Sequence, residues 1–188
     1  MANISKYKNN KDQETLVEKV VSINKVSKTI KGGRTFSFSV LVIVGDKKGK
    51  FGFGTGKARE VTSARAKAFK KAKKLLFKVP LREGRTLHHD CEGRYGASKV
   101  LLRPAVPGTG IIAGGSVRAV LECLGLKDVV TKSLGSTNPK NIVMATFKAL
   151  QNLSSPKKVA ERRNRHISEI IKRRNVALKS TTNEEKNE

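Results

Sequence analysis

Apolar and polar positions alternate most cleanly from Phe36 to Val44, where Phe36, Phe38, Val40, Val42 and Val44 take every second place. A period of two is the pattern of a strand with one face on a core. A β-branched run precedes it, Leu16 to Lys31 (LVEKVVSINKVSKTIK), and Gly32-Gly33 separates the two. Two strand patterns joined by Gly-Gly predict a hairpin. With Gly32 and Gly33 as the turn residues, Ile23 faces Val42 and Val21 faces Val44. The same register sets Val26 against Ser39, out of phase. A bulge near Asn24–Val26, or a longer loop, is therefore expected.

The stretch GDKKGKFGFGTGKARE (Gly45–Glu60) joins this strand through a Gly/Asp/Lys turn to a short Phe-Gly-Phe-Gly strand, then opens a helix. Gly52, Gly54 and Gly56 carry no Cβ, so another backbone can approach there. The helix is expected from about Ala58 to Val79. Val61, Ala64, Ala68, Ala72, Leu75 and Val79 line one face, and Lys67, Lys70, Lys71, Lys74 and Lys78 the other. Its free N–H groups and positive dipole end, with Lys57 and Arg59 beside them, suit a phosphate as well as an ordinary solvated start. Pro80 stops the helix and Leu81–Arg85 reads as a linker.

The pattern then changes. TLHHDCEGRYG and SKVLLR (Ser98–Arg103) read as strands, and Pro104, Pro107 and GTGIIAGG (Gly108–Gly115) break the chain. A helix with Val117, Val120, Leu121 and Leu124 follows and stops at Gly125. Lys127–Ser133 is a strand, and Asn141–Leu153 a second helix on Ile142, Ala145, Ala149 and Leu153. Ser154-Ser155-Pro156 ends the packed region. The expected class is α+β. Its parts are an arm (1–15), a three-stranded unit backed by one helix (16–80), a second α+β unit (86–155) and a basic extension (156–188).

Charge changes the picture from fold to partner. Lys plus Arg is 40 and Asp plus Glu is 15, a formal net charge of 40 − 15 = +25. Such an excess opposes compactness unless a polyanion neutralises it. No apolar run reaches the roughly 18 residues of a spanning helix. The first residues (MANISKYKNNKDQE) lack the apolar core of a secretory signal. Cys91 and Cys123 stand far apart without a CxxC pair, as expected of a reduced, cytoplasmic protein. Nucleic acid is the partner class that fits, ahead of a membrane surface. Lys25, Lys28, Lys31 and Arg34 crowd the hairpin tip, as a basic finger entering RNA would require.

Two clusters invite catalytic readings. His88, His89, Asp90 and Cys91 are adjacent, and strand neighbours point to opposite faces, so they cannot converge on one metal ion or form a nucleophile pair. Gly108, Gly110 and Gly114 imitate a dinucleotide fingerprint but follow prolines and lack the Lys-Ser/Thr of a phosphate loop. No cofactor and no enzymatic activity are expected. Glu92, Glu122 and Asp128 are scattered.

Four stretches, NKVSKTIKGGRTFSFSVLVIVGD, GFGTGKARE, PGTGIIAGGSVRAVLECLG and KSLGSTNPKNIV, together resemble the bacterial-type S-five family of the small ribosomal subunit. The resemblance runs from about Leu16 to Pro156. It implies a double-stranded-RNA-binding-like β-β-β-α domain followed by a second α+β domain of the S-five type. It also implies binding to small-subunit ribosomal RNA near the decoding region, a part in the path by which messenger RNA enters, and S-four and S-eight proteins as neighbours. Lys25, Ser27, Lys28, Gly32 and Gly33 match the hairpin that approaches RNA near the spectinomycin site. Gly110 and Arg118 match the S-four contact, where changes affect decoding accuracy. Two rivals remain: a free-standing duplex-RNA binder and a nucleotide-using enzyme built on Gly110.

Overall fold

The computed structural model describes residues 16–171. The expected arm and the last part of the basic extension lie outside the described residues. Twelve elements follow in order: β1 (Val17–Ile30), β2 (Gly33–Gly45), β3 (Lys50–Ala58), α1 (Val61–Lys74), β4 (Phe77–Lys78), β5 (Cys91–Tyr95), β6 (Ser98–Pro104), β7 (Ile111–Ile112), α2 (Gly115–Leu124), β8 (Val129–Gly135), α3 (Pro139–Gln151) and α4 (Pro156–Arg163). They build two four-stranded sheets, ordered β1-β2-β3-β4 and β5-β6-β8-β7. The first is antiparallel throughout, and the second is antiparallel except for the parallel β7–β8 pair. The chain is α+β, as expected.

The hairpin is displaced from the register read above. Ile30 pairs with Gly33, so Lys31 and Gly32 form the turn, and the bulge falls at Val21 rather than near Asn24–Val26. The turn chemistry explains the slip: Gly33 takes φ +137°, backbone that side chains rarely adopt, and so sits beside the turn. Between the turn and the bulge the pairing moves by two residues, which leaves every side chain there on the same face, and alternation alone therefore cannot detect it.

On one face of the first sheet, Val40, Val42 and Val44 pack under Ala64, Ala68 and Ala72 of α1. The close approach at Gly52, Gly54 and Gly56 is made by this helix. A Cβ on each would stand 2.4, 2.3 and 2.1 Å from the carbonyl oxygens of Ala72, Ala68 and Ala64. The glycines are the floor on which α1 rests. The helix is also shorter than its periodicity implied. It ends at Lys74, Leu75 is exposed, and Phe77–Lys78 turn back to pair with β3. Apolar spacing through Val79 continued a helical pattern across what is a fourth strand.

The other face of this sheet belongs to a larger core. Leu41, Ile43 and Phe51 join Val117, Leu121 and Leu124 of α2 and Val143 and Leu150 of α3. Phe147 of α3 sets its ring edge-on to Phe51, Phe53 and Phe77 at 5.3–5.9 Å. The Asp46–Gly49 turn docks on the C-terminus of α2. There the Lys47 and Gly49 N–H groups donate to the Cys123 and Leu124 carbonyls, both at 3.0 Å. These are carbonyls that a helix end leaves without partners of its own. Gly125 closes the helix in left-handed backbone, φ 91°, and a Cβ there would meet the Lys47 carbonyl oxygen at 2.1 Å. Lys19 of β1 pairs with Glu122 of α2 across the same seam. The segment read as a linker is likewise tied down, with Arg82 bridged to Thr86, Leu87 fully buried, and Lys127 donating to the Arg85 carbonyl at 2.8 Å.

In the second unit, β5 replaces the longer TLHHDCEGRYG strand. His89 is held between Asp90 and Ser154: the Ser154 N–H donates to Nε2 at 3.1 Å, and Nδ1 lies 2.6 Å from the Asp90 carbonyl. Asp90 pairs with Arg103. Cys91 is buried as a free thiol, pushed up to about 12 chiefly by desolvation. Asn138 caps α3 by accepting from the Lys140 N–H, and Ser155 caps α4 by accepting from Lys158. The packed region runs past Ser155, since Ala160 of α4 is buried.

Candidate nucleic-acid interface

β3 ends at Ala58, opposite Phe38 of β2. Beyond that rung β1 and β2 continue alone, from Val26–Ser37 to Ile30–Gly33. At about 3.4 Å per residue these rungs project roughly 17 Å as a two-stranded ribbon. Paired residues share a face. Lys25, Ser27, Arg34 and Phe36 therefore lie on one face, and Val26, Lys28 and Ser37 on the other. Lys31 is in the turn. No acidic residue occurs between Ser22 and Val44, so the ribbon's cations have no local counter-charge. Gly32 and Gly33 have open space around them, so packing sets no limit at the tip.

Lys25 places its ammonium over the Phe36 ring, 4.4 Å from the centroid. At the ribbon's base, where β3 stops, a depression is lined by Ser37, Lys57, Arg59, Glu60, Ser63 and Lys67. Glu60 is the N-cap of α1 and makes no side-chain cap bond, and no acidic residue stands in the first turn. Away from the ribbon, near the start of β1, Glu18 accepts from Arg65 of α1 at 2.7 and 3.0 Å and ties that strand to the helix. The fold thus gathers Lys25, Ser27, Lys28, Lys31, Gly32, Gly33, Arg34, Lys57 and Arg59 on one projecting ribbon and the step beneath it.

Gly110 and Arg118 belong to a different place, the corner where β7 leads into α2. Gly110 has φ +77°. Its N–H and that of Gly108 both donate to Asp128 Oδ1 at 3.0 Å, while Arg85 donates to Oδ2. The Asp128 main-chain carbonyl accepts from Thr86 Oγ1 at 2.6 Å. The side chain is 3% exposed. The Arg85 guanidinium, and then the Gly110 N–H, hold the Asp128 carboxyl below the usual carboxylate range. Asp128 organises the corner, and sequence reasoning missed it because its partners lie 18 to 43 residues away. Two of the three glycine N–H groups of the apparent dinucleotide fingerprint, those of Gly108 and Gly110, are spent on a carboxylate, which would repel a phosphate. Arg118 is exposed and reaches back to the Ala113 carbonyl at 3.4 Å.

Among the described residues no helix is long and apolar enough to cross a membrane. The profile of the family described as "Ribosomal protein S5, N-terminal domain" matches residues 16–80, and that of "Ribosomal protein S5, C-terminal domain" residues 93–163. A small ribosomal subunit protein uS5 from Phenylobacterium zucineum is 60% identical over 159 residues, covering 85% of this chain and 82% of the relative. The protein of that name from Gluconacetobacter diazotrophicus is 56% identical, covering 89% and 87%. That from Hyphomonas neptunium is 58% identical, covering 87% and 82%. With both domain profiles matched in order and similarity running through most of each relative, the chain belongs to the ribosomal protein S5 family, structural and non-enzymatic constituents of the small ribosomal subunit.

Proposed function

We propose that the chain is held on small-subunit ribosomal RNA by the β1–β2 ribbon and the step at its base. Lys25, Ser27, Lys28, Lys31, Gly32, Gly33, Arg34, Lys57 and Arg59 make the contact. The observation that carries this reading is the ribbon itself: a projection about 17 Å long, cationic on both faces and at its tip, with no acidic residue along it. Cations there neutralise phosphates and release counterions. A ribbon presented edge-on suits recognition by shape and 2′-hydroxyls, because the deep major groove of an RNA helix resists side chains.

The β7–α2 corner is the second working surface in this reading. Gly110 and Arg118 face the neighbouring S-four protein, S-eight lies nearby, and the chain flanks the path by which messenger RNA enters. Holding RNA and a neighbouring protein through one rigid body biases the subunit between open and closed decoding states. The working division is residues 16–80 for the RNA-gripping domain, 86–155 for the second domain, and a basic extension from 156. Support for two coupled surfaces comes from the continuous core between the sheets.

The test is sedimentation of a lysate through a gradient at about 0.5 M salt, where non-specific phosphate binding has fallen steeply. Co-migration with the small subunit is expected. A chain left at the top of the gradient overturns the reading and favours a free duplex-RNA binder.

A further inference from the structure

Of the seven phenylalanines, Phe36 alone is exposed, with 50% of its surface open on the ribbon. The other six are buried or half-buried. Lys25 covers one side of the ring at 4.4 Å. On the opposite flank no strand stands beside it, because β3 has ended at Ala58, opposite Phe38. Arg34 shares its face, and the step with Lys57, Arg59 and Lys67 lies at the ribbon's base. We infer that Phe36 is a stacking platform for an unpaired nucleobase of the RNA held by the ribbon, an inference that rests on the RNA-binding reading above.

The choice of occupant follows from what surrounds the ring. An apolar protein side chain could cover a bare phenyl face but would leave Lys25 and Arg34, on a ribbon that carries no acidic residue, without counter-charge. A nucleotide meets both demands: its base supplies a π-face to the ring, and its phosphate supplies the anion. A base within a continuous helix has both faces occupied by its neighbours, so only an unpaired or bulged one can accept the ring. Lys25 contributes by fixing the ring's orientation before RNA arrives.

The experiment uses small subunits assembled with the full-length chain. Base-specific chemical modification of the ribosomal RNA reads stacking, and hydroxyl-radical cleavage reads the backbone footprint of the ribbon. With Phe36→Leu, one unpaired base near that footprint is expected to gain reactivity by about fivefold or more, while the backbone footprint persists. Phe36→Tyr is expected to keep the base protected. Unchanged base reactivity in Phe36→Leu beside an intact footprint overturns the stacking role and leaves the RNA-binding reading standing. Loss of both signals in Phe36→Leu makes Phe36 a structural residue of the ribbon and also overturns stacking. Absence of the footprint with the unsubstituted chain removes the ribbon from RNA, and the inference falls with it.

Discussion

The ribbon tip and the β7–α2 corner are both turns rich in glycine with cations nearby, yet they are held in opposite ways. At the tip nothing comes within 4 Å of where a Cβ would stand on Gly32 or Gly33, and no acidic side chain is near in sequence. At the corner two glycine N–H groups, Arg85 and the Thr86 hydroxyl all converge on buried Asp128. The tip's charge meets no acidic residue along the ribbon. The corner has spent its glycine N–H groups and Arg85 on Asp128, and Arg118 is the cation it leaves exposed. Glycine content and positive charge alone do not separate a binding surface from a braced one. The destination of each N–H does.

Removing the brace should give the largest effect. Asp128→Ala strips the partner from Arg85 and from the Gly108 and Gly110 N–H groups. A clear loss of thermal stability is expected by calorimetry, and an unchanged melting temperature would show that the corner does not need its carboxylate. The same group gives a pH signature. Its pKa is lowered by folding, so its contribution is present above the ordinary carboxylate value of about 3.9 and is lost as pH falls through the lower folded value. Asp128→Asn should flatten that acid limb of the stability curve.

Lys28→Glu probes the other side of the comparison. It should leave stability within about 0.5 kcal/mol, because the side chain is exposed, while weakening incorporation into subunits and lowering their salt resistance. Normal incorporation with unaltered spectinomycin sensitivity would take the ribbon out of the RNA contact. Paired glycine changes sharpen the contrast. Gly110→Ala forces a side chain into φ +77° and should cost about 1–3 kcal/mol, measured by denaturant titration. Gly32→Ala, whose backbone needs no positive φ, should cost under about 0.5 kcal/mol. Equal costs would erase the distinction. Arg118→Leu should be smallest in stability, since the residue is exposed, yet raise misreading in a reporter assay. Unaltered accuracy with normal assembly would remove it from the decoding role.

What could be read in the sequence was what is encoded locally. Alternation from Phe36 to Val44 marks a strand wherever it pairs, and the alanine stripe of α1 shows its buried face. The basic hairpin was legible for the same reason, since its charge is contiguous. Register was not, because a two-rung slip preserves the pattern. β4 was hidden inside a continuing helical period, where pairing with Lys50 and Phe51 won over local preference. Gly52, Gly54 and Gly56 announced a close approach without saying to what, and the answer is the carbonyls of α1. Asp128 gave no local signal at all. Its role exists only after Arg85, Gly108 and Gly110 have been brought to it.

The shared core also sets a timetable for synthesis. Leu41, Ile43 and Phe51 are made early, while Val117, Leu121 and Phe147, which cover or adjoin them, are made much later. Through that interval the growing chain carries a completed ribbon above a sheet with one oily side uncovered, next to an abundance of RNA that its lysines attract. A ribosome-bound nascent chain stopped before α2 should be cleaved readily within the first sheet by a protease, and one extended past Leu153 should resist. The first sheet thus reaches its final form only when the second unit arrives.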